Sequence, residues 1–93
     1  MSSNGAKDIR IDPHTLQRMP KRGVAEAEVF DVLLSGKSFA AKHGRLGKFK
    51  VFPFHAHFEG IYYQQKRVEV VYVEENGIFV TVTVFAYYGK WED

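Results

Sequence analysis

Three sets of side chains have the types and spacing that do chemistry. His14 and Arg18 stand four residues apart in a stretch with helical signals, so both fall on one helical face; Arg22 would extend the row if Pro20 did not interrupt it. Tyr87 and Tyr88 end the last strand-like run. An imidazole or a phenol passes a proton and a guanidinium neutralises an oxyanion. Arg18 is thus a candidate phosphate clamp, and His14 or Tyr87 a candidate acid or base. The competing reading is structural, with the stems of Arg18 and Arg22 beside Met19 and their heads on helix-end carbonyls or Glu28.

The second set is electrostatic. No acidic residue occurs between Asp31 and Glu59, whereas Lys37, Lys42, Arg45, Lys48 and Lys50 do, with His43, His55 and His57. Such a segment attracts phosphates, which makes Lys42, Arg45, Lys48 and Lys50 candidate nucleic-acid contacts. Lysines also guard strand edges, and that reading fits the same residues. The third set is His55, His57 and Glu59, whose alternation puts them on one side of an extended strand, a spacing that can chelate. A further ligand must come from another strand, and His14 and His43 are the remaining histidines, so no metal and no cofactor is assigned.

These residues need a scaffold. Val68 to Tyr87 is dominated by β-branched and aromatic residues and broken by Asn76-Gly77, the pair that takes φ > 0 at both centres of a type I′ turn, which predicts a β-hairpin. Glu75 then faces Ile78, Val73 faces Val80, Val71 faces Val82 and Glu69 faces Val84. One face holds Val71, Val73, Ile78, Val80, Val82 and Val84 and is the predicted core floor. The other holds Val68, Val70, Tyr72, Phe79, Thr81, Thr83 and Phe85, suited to stacking bases or to dimerisation.

A helix over residues 25–35 is the predicted roof. Ala25, Val29, Val32 and Leu33 recur at helical spacing, Phe30 and Leu34 widen the stripe, Glu26 and Glu28 suit the positive helix end, and Gly36 is the expected left-handed cap. Roughly five such side chains at about 1.5–3 kcal/mol each make this the largest stabilising contact expected. Upstream, Asp12-Pro13 starts a helix with Leu16 and Met19 inward, Pro20 as its end or kink, and Gly23 closing the unit. From Ser38 the period turns to two. Ser38 to Lys42 reads as a short strand, His43-Gly44 as a turn and Gly47 as a break. Lys48 to Phe54 follows as a strand with Pro53 marking an edge, His57 to Gln65 as another with a bulge at Gly60, and Gln64 to Arg67 must then turn. The sum is an α+β domain, two N-terminal helices on one face of a four- or five-stranded antiparallel sheet.

A chain of 93 residues, 45% hydrophobic and 26% charged, supports one core and one domain. With no cysteine, disulfides, thiolate metal sites and cysteine nucleophiles are excluded. No apolar run approaches the ~20 residues of a membrane span. Met1 to Lys7 reads as a flexible terminus without the apolar stretch of a signal peptide, so the expected location is cytoplasmic. Tyr88 to Asp93 reads as a tail with Trp91 packed back.

The run His14-Thr15-Leu16-Gln17-Arg18-Met19-Pro20-Lys21-Arg22-Gly23-Val24, then Glu28-Val29 and Gly36, resembles the opening of a bacterial domain family of unknown function. Its members read His, three residues, Arg-Met, two residues, Arg-Gly-Ile or Val, then a Glu-Val helix and a glycine. That family, like the BrnT type of toxin, is similar to the RelE/ParE superfamily, two helices on an antiparallel sheet. Val82-Thr83-Val84-Phe85 is similar to its last strand. Pro20 and Ala25, the latter where Ser or Thr usually caps the second helix, depart from the pattern. The resemblance implies a toxin-like, metal-free endoribonuclease acting on RNA or ribosome-bound mRNA, with a small antitoxin protein as partner. In that chemistry His14 or Tyr87 would move the proton and Arg18 would hold the phosphate. The alternative on the same scaffold is a non-catalytic protein-binding module or homodimer.

Overall fold

The computed structural model describes residues 8–91, so Met1 to Lys7, read above as a flexible terminus, and Glu92-Asp93 lie outside the described residues. In chain order the elements are β1 (Ile9–Arg10), α1 (Pro13–Arg22), α2 (Glu26–Ser35), β2 (Lys37–Ala40), β3 (Leu46–Phe58), β4 (Ile61–Glu75) and β5 (Ile78–Gly89), with a 3-10 turn at Lys42–Gly44. The strands form a sheet in the order β1-β5-β4-β3-β2. All neighbours are antiparallel except β1, which lies parallel to β5 with Ile9 opposite Phe79. Both helices pack on one face of this sheet, the α+β arrangement expected.

Asp12 caps α1, its Oδ2 accepting from the His14 amide at 2.9 Å. The helix does not end at Pro20 but runs on to Arg22 and closes at Gly23, φ 72. Proline forfeits the bond to the Leu16 carbonyl, yet its ring sits on the exposed side and the turn continues. In α2 the Glu28 Oε1 accepts from the Ala25 amide at 2.9 Å, which is half of a capping box. Val29, Val32 and Leu33 are fully buried, whereas Phe30 and Leu34, read as part of the same stripe, are exposed at 37% and 56%. Gly36 is extended rather than left-handed, with φ −76 and ψ 170. Glycine suits it for space instead, because a Cβ there would press on the Val32 and Phe49 carbonyl oxygens at 2.5 and 2.7 Å.

The Asn76-Gly77 turn stands where the sequence puts it, with φ 52 and 80. Glu75 faces Ile78 and Val73 faces Val80, but the ladder then slips: Tyr72 faces Thr81 and Val71 faces Thr83, leaving Val82 as a bulge. Past the bulge the β5 side chains exchange faces, so Val84 joins Val68, Val70, Tyr72 and Phe79 beneath the helices. The covered floor is therefore the Val68-Val70-Tyr72 face, not the Val71-Val73-Val80 face predicted. Thr81, a polar residue on this covered face, is satisfied there: its Oγ1 donates to Thr15 Oγ1 at 2.9 Å and accepts from the Asp12 amide at 3.0 Å. Tyr72 and Phe79 pack edge to face at 4.9 Å between centroids. Val71 and Val80 are buried too, at 8% and 7%, on the opposite face.

Two further expectations change. Glu59-Gly60, with φ 53 and 85, is a two-residue turn between β3 and β4, not a bulge within one strand. β4 then runs unbroken through Gln64 to Arg67, where a turn was predicted, and Gly47 lies inside β3 rather than breaking it. Pro53 sits where β3 has outrun β2, whose pairing stops at Phe49, so its missing donor falls on an edge. Beneath the helix junction the buried Lys66 donates to the Gly23 carbonyl at 2.8 Å and to Glu28 Oε1 at 2.9 Å. The Tyr88 ring stacks on Phe58 at 4.2 Å, and its hydroxyl donates to the Arg22 carbonyl at 2.8 Å.

Candidate nucleic-acid interface

The helices leave one sheet face uncovered, and strand alternation decides what it displays. The registers align Gly47, Val71 and Thr83 in one row, Phe49, Glu69 and Phe85 in the next, and Val51, Arg67 and Tyr87 in a third. Arg67 lies 3.7 Å above the Phe49 ring centroid and donates from Nε to Glu69 Oε2 at 2.9 Å, both side chains partly buried. This pair forms a ridge between two grooves.

The larger groove, about 550 Å³, has the β2–β3 connection as one wall and the sheet as the other. β2 contributes Phe39 and the connection Lys42, His43 and Arg45; β4 and β5 contribute Glu69, Thr83, Phe85 and Tyr87. Gly47 makes the close approach possible, since any Cβ there would meet the Phe39 ring at 2.5–2.8 Å. His43 holds a left-handed φ of 62 in this turn. The smaller groove, about 390 Å³, lies beyond the ridge and is lined by Lys37, Phe49, Lys50, Val51, Arg67 and Trp91, among others.

Of the residues singled out by sequence, Lys42, Arg45 and Tyr87 come together in the larger groove. Lys48 and Lys50 do not, because alternation with Gly47 and Phe49 turns them to the helix side. Lys48 Nζ donates to the Leu33 carbonyl at 2.9 Å, near the negative end of α2. Lys50 Nζ lies 2.7 Å from Asp31 Oδ1. That bond, then the Ser35 hydroxyl, holds the Asp31 carboxyl below its ordinary range.

His14 and Arg18 lie on α1, His14 exposed and Arg18 half-buried. The helix runs alongside β5 from Thr15 at Thr81 to Arg22 at Val84. His14 is thus at the Thr81 end, and Tyr87 is six residues along the strand, about 20 Å at 3.3 Å per residue. His14 is therefore set apart from Tyr87, whereas Tyr87 shares a groove with Lys21 and Arg22, one helical turn beyond Arg18. Arg22 takes a structural role, donating to the Val84 carbonyl at 2.5 Å on the outer edge of β5 with its guanidinium 5.0 Å from the Phe85 centroid.

His55 sits in a β3 bulge at φ 48 with its Nδ1 3.5 Å from the Tyr62 hydroxyl, and Glu59 lies in the turn at φ 53, off the regular strand alternation. His57 packs edge-on to Tyr62 at 5.5 Å. Among the described residues no group of three or more His, Cys, Asp or Glu is placed to hold a metal ion. The neighbouring Tyr88 phenol is pushed up by burial, then by the Glu28 and Glu59 carboxylates, so it stays protonated as a strut. Sequence reasoning missed Phe39, Glu69 and Arg67. The i, i+2 spacing of Arg67 and Glu69 on a strand was the available signal; nothing local marked Phe39.

No known protein family, curated protein or solved structure matches the chain.

Proposed function

We propose that this protein is a toxin-like RNA-binding domain that lays single-stranded RNA across the uncovered sheet face, with metal-free RNA cleavage at the larger groove as its activity. The observation that carries this reading is the meeting of Lys42, His43, Arg45 and Tyr87 with the rings of Phe39 and Phe85 around one groove. Aromatic faces stack bases of any sequence, and the cations beside them neutralise phosphates. In cleavage, His43 or Glu69 takes the 2′-hydroxyl proton, the 2′-oxygen bonds to phosphorus, and the bond to the 5′-oxygen breaks. Tyr87 or the protonated His43 returns a proton to that leaving oxygen while Lys42 and Arg45 hold the phosphorane charge. The products are a 2′,3′-cyclic phosphate and a 5′-hydroxyl. The resemblance of His14–Gly36 to the RelE/ParE-like and BrnT-like proteins supports the reading, and implies a cytoplasmic setting and a small antitoxin partner.

A protein-binding role has one observation in its favour, the exposed Phe30 and Leu34 one turn apart on α2. The test is incubation of the full chain with end-labelled single-stranded RNA and with message-loaded ribosomes. Cleavage that leaves a cyclic phosphate, is slowed in His43→Ala and in Tyr87→Phe and is lost when the two are combined is expected. Binding without cleavage would leave only the RNA-binding half of the proposal. In the binding assay, Lys42→Ala with Arg45→Ala should reduce the salt slope by about 1.4, at ~0.7 per single-strand phosphate contact. An unchanged slope would remove the groove from the RNA path.

A further inference from the structure

The smaller groove has no part in the cleavage just described; it opens on the same face at Phe49, Val51, Arg67 and Trp91, one strand pleat away, about 7 Å, and wraps round the β3 edge to Ser35 and Lys50. We propose that it is a second nucleotide subsite, in which the Trp91 indole stacks a base of the same RNA strand and Lys37 and Arg67 meet the adjoining phosphate. This rests on the RNA-binding reading and extends it to a second position along the strand.

Three observations lead there. First, Trp91 is held in place: its backbone amide donates to Gln65 Oε1 at 2.5 Å, and its ring lies against Gly89 at the end of β5. An aromatic ring already ordered loses little freedom when a base stacks on it. Second, Arg67 is fixed above Phe49 and gives only its Nε to Glu69 among the described residues. Its outer N–H groups stand on the ridge that a strand must cross between the grooves, where a phosphate accepts in bidentate fashion. Third, the charge is complementary to a polyanion. The two grooves are lined by Lys37, Lys42, Arg45, Lys50 and Arg67, while Glu69 is their acidic member. Lys50 is committed to Asp31, which leaves the exposed Lys37 as the ammonium of the smaller groove with no partner among the described residues. An aromatic ring beside two cations, repeated across a ridge on one sheet face, is how a stacking platform follows a single strand.

Trp91 is the single tryptophan of the chain, so its emission reports on this groove alone. The full-length protein is titrated with oligouridylates of two and eight nucleotides and with inorganic polyphosphate, while the anisotropy of a labelled octamer is followed in parallel. The octamer should quench Trp91, and polyphosphate should not. Trp91→Ala should weaken octamer binding by about five- to 150-fold, the range that removal of a base-stacking ring gives, and Trp91→Phe should weaken it less. The wild-type quench keeps the test valid should the alanine variant fold poorly. The subsite is overturned if the octamer binds in a Lys42- and Arg45-dependent way yet leaves Trp91 emission and Trp91→Phe affinity unchanged. Equal quenching by polyphosphate also overturns it. Failure of the octamer to bind at all instead overturns the RNA-binding reading beneath it.

Discussion

Replacing Lys66 with methionine is the sharpest test of how the helices are held to the sheet. The side chain is 8% exposed and its Nζ lies 2.8 Å from Glu28 Oε2, with Glu28 itself 22% exposed. The same ammonium donates to the Gly23 carbonyl and sits 5.5 Å from the Phe54 ring centroid, so one charge ties together α1, α2 and β4. Methionine keeps the stem but strands the Glu28 carboxylate with the Ala25 amide as its remaining bond, and leaves the Gly23 carbonyl without that donor. Breaking a buried pair from one side costs about 3–5 kcal/mol. The partial exposure of Glu28 puts this one near the lower end, about 3 kcal/mol, a large part of the ~5–15 kcal/mol that holds a domain together. At roughly 4–8 °C per kcal/mol, the melting temperature falls by about 12–24 °C. Urea unfolding of Lys66→Met, Glu28→Gln and the double variant measures it. The double variant should lose less than the sum of the singles by more than ~1 kcal/mol, because the second change removes the stranded charge. A Lys66→Met variant within about 0.5 kcal/mol of the parent, or strictly additive singles, would refute the argument.

Two further outcomes follow from the same geometry. Leu33→Ala, at a fully buried position, should cost about 2–5 kcal/mol, whereas Leu34→Ser next to it, 56% exposed, should stay within ~0.5 kcal/mol, as read by denaturant midpoints. Because Lys50 and Ser35 depress the Asp31 carboxyl from 3.8, its contribution is in place above that value and drains away as the pH drops through the lower folded-state value. The stability difference between the parent and Asp31→Asn should therefore shrink on acidification below about pH 4; a difference constant from pH 7 to pH 2 would contradict the assigned bond.

The element types were legible because their signals are local: Asp12-Pro13 for a helix start, Asn76-Gly77 for a two-residue turn, Val29, Val32 and Leu33 for a buried stripe. Which hairpin face the helices cover was not. It turned on the bulge at Val82, in a Val-Thr alternation with no glycine to mark an extra residue, and on Thr81 finding Thr15 and Asp12 from a distant helix. Glu59-Gly60 lacks the asparagine that made the other turn conspicuous. β1 spans two residues, too short for any period to show. For the groove, the residue types of Lys42, Arg45 and Tyr87 were readable, but their meeting depends on a chain reversal at β2. Lys48 and Lys50 were grouped with Lys42 by composition, although their alternation with Phe49 assigns them to the other side of the sheet.

β1 pairs with β5 at Phe79 and Val80, so past the bulge no strand among the described residues pairs with the outer border of β5. There the Arg22 guanidinium already occupies the Val84 carbonyl. An intruding strand seeking to zip onto this border must first evict a cation and then follow a kinked ladder, the kind of obstacle by which sheets avoid endless strand-on-strand growth. Arg22, which would have lengthened the His14–Arg18 row, thus caps part of this strand border instead.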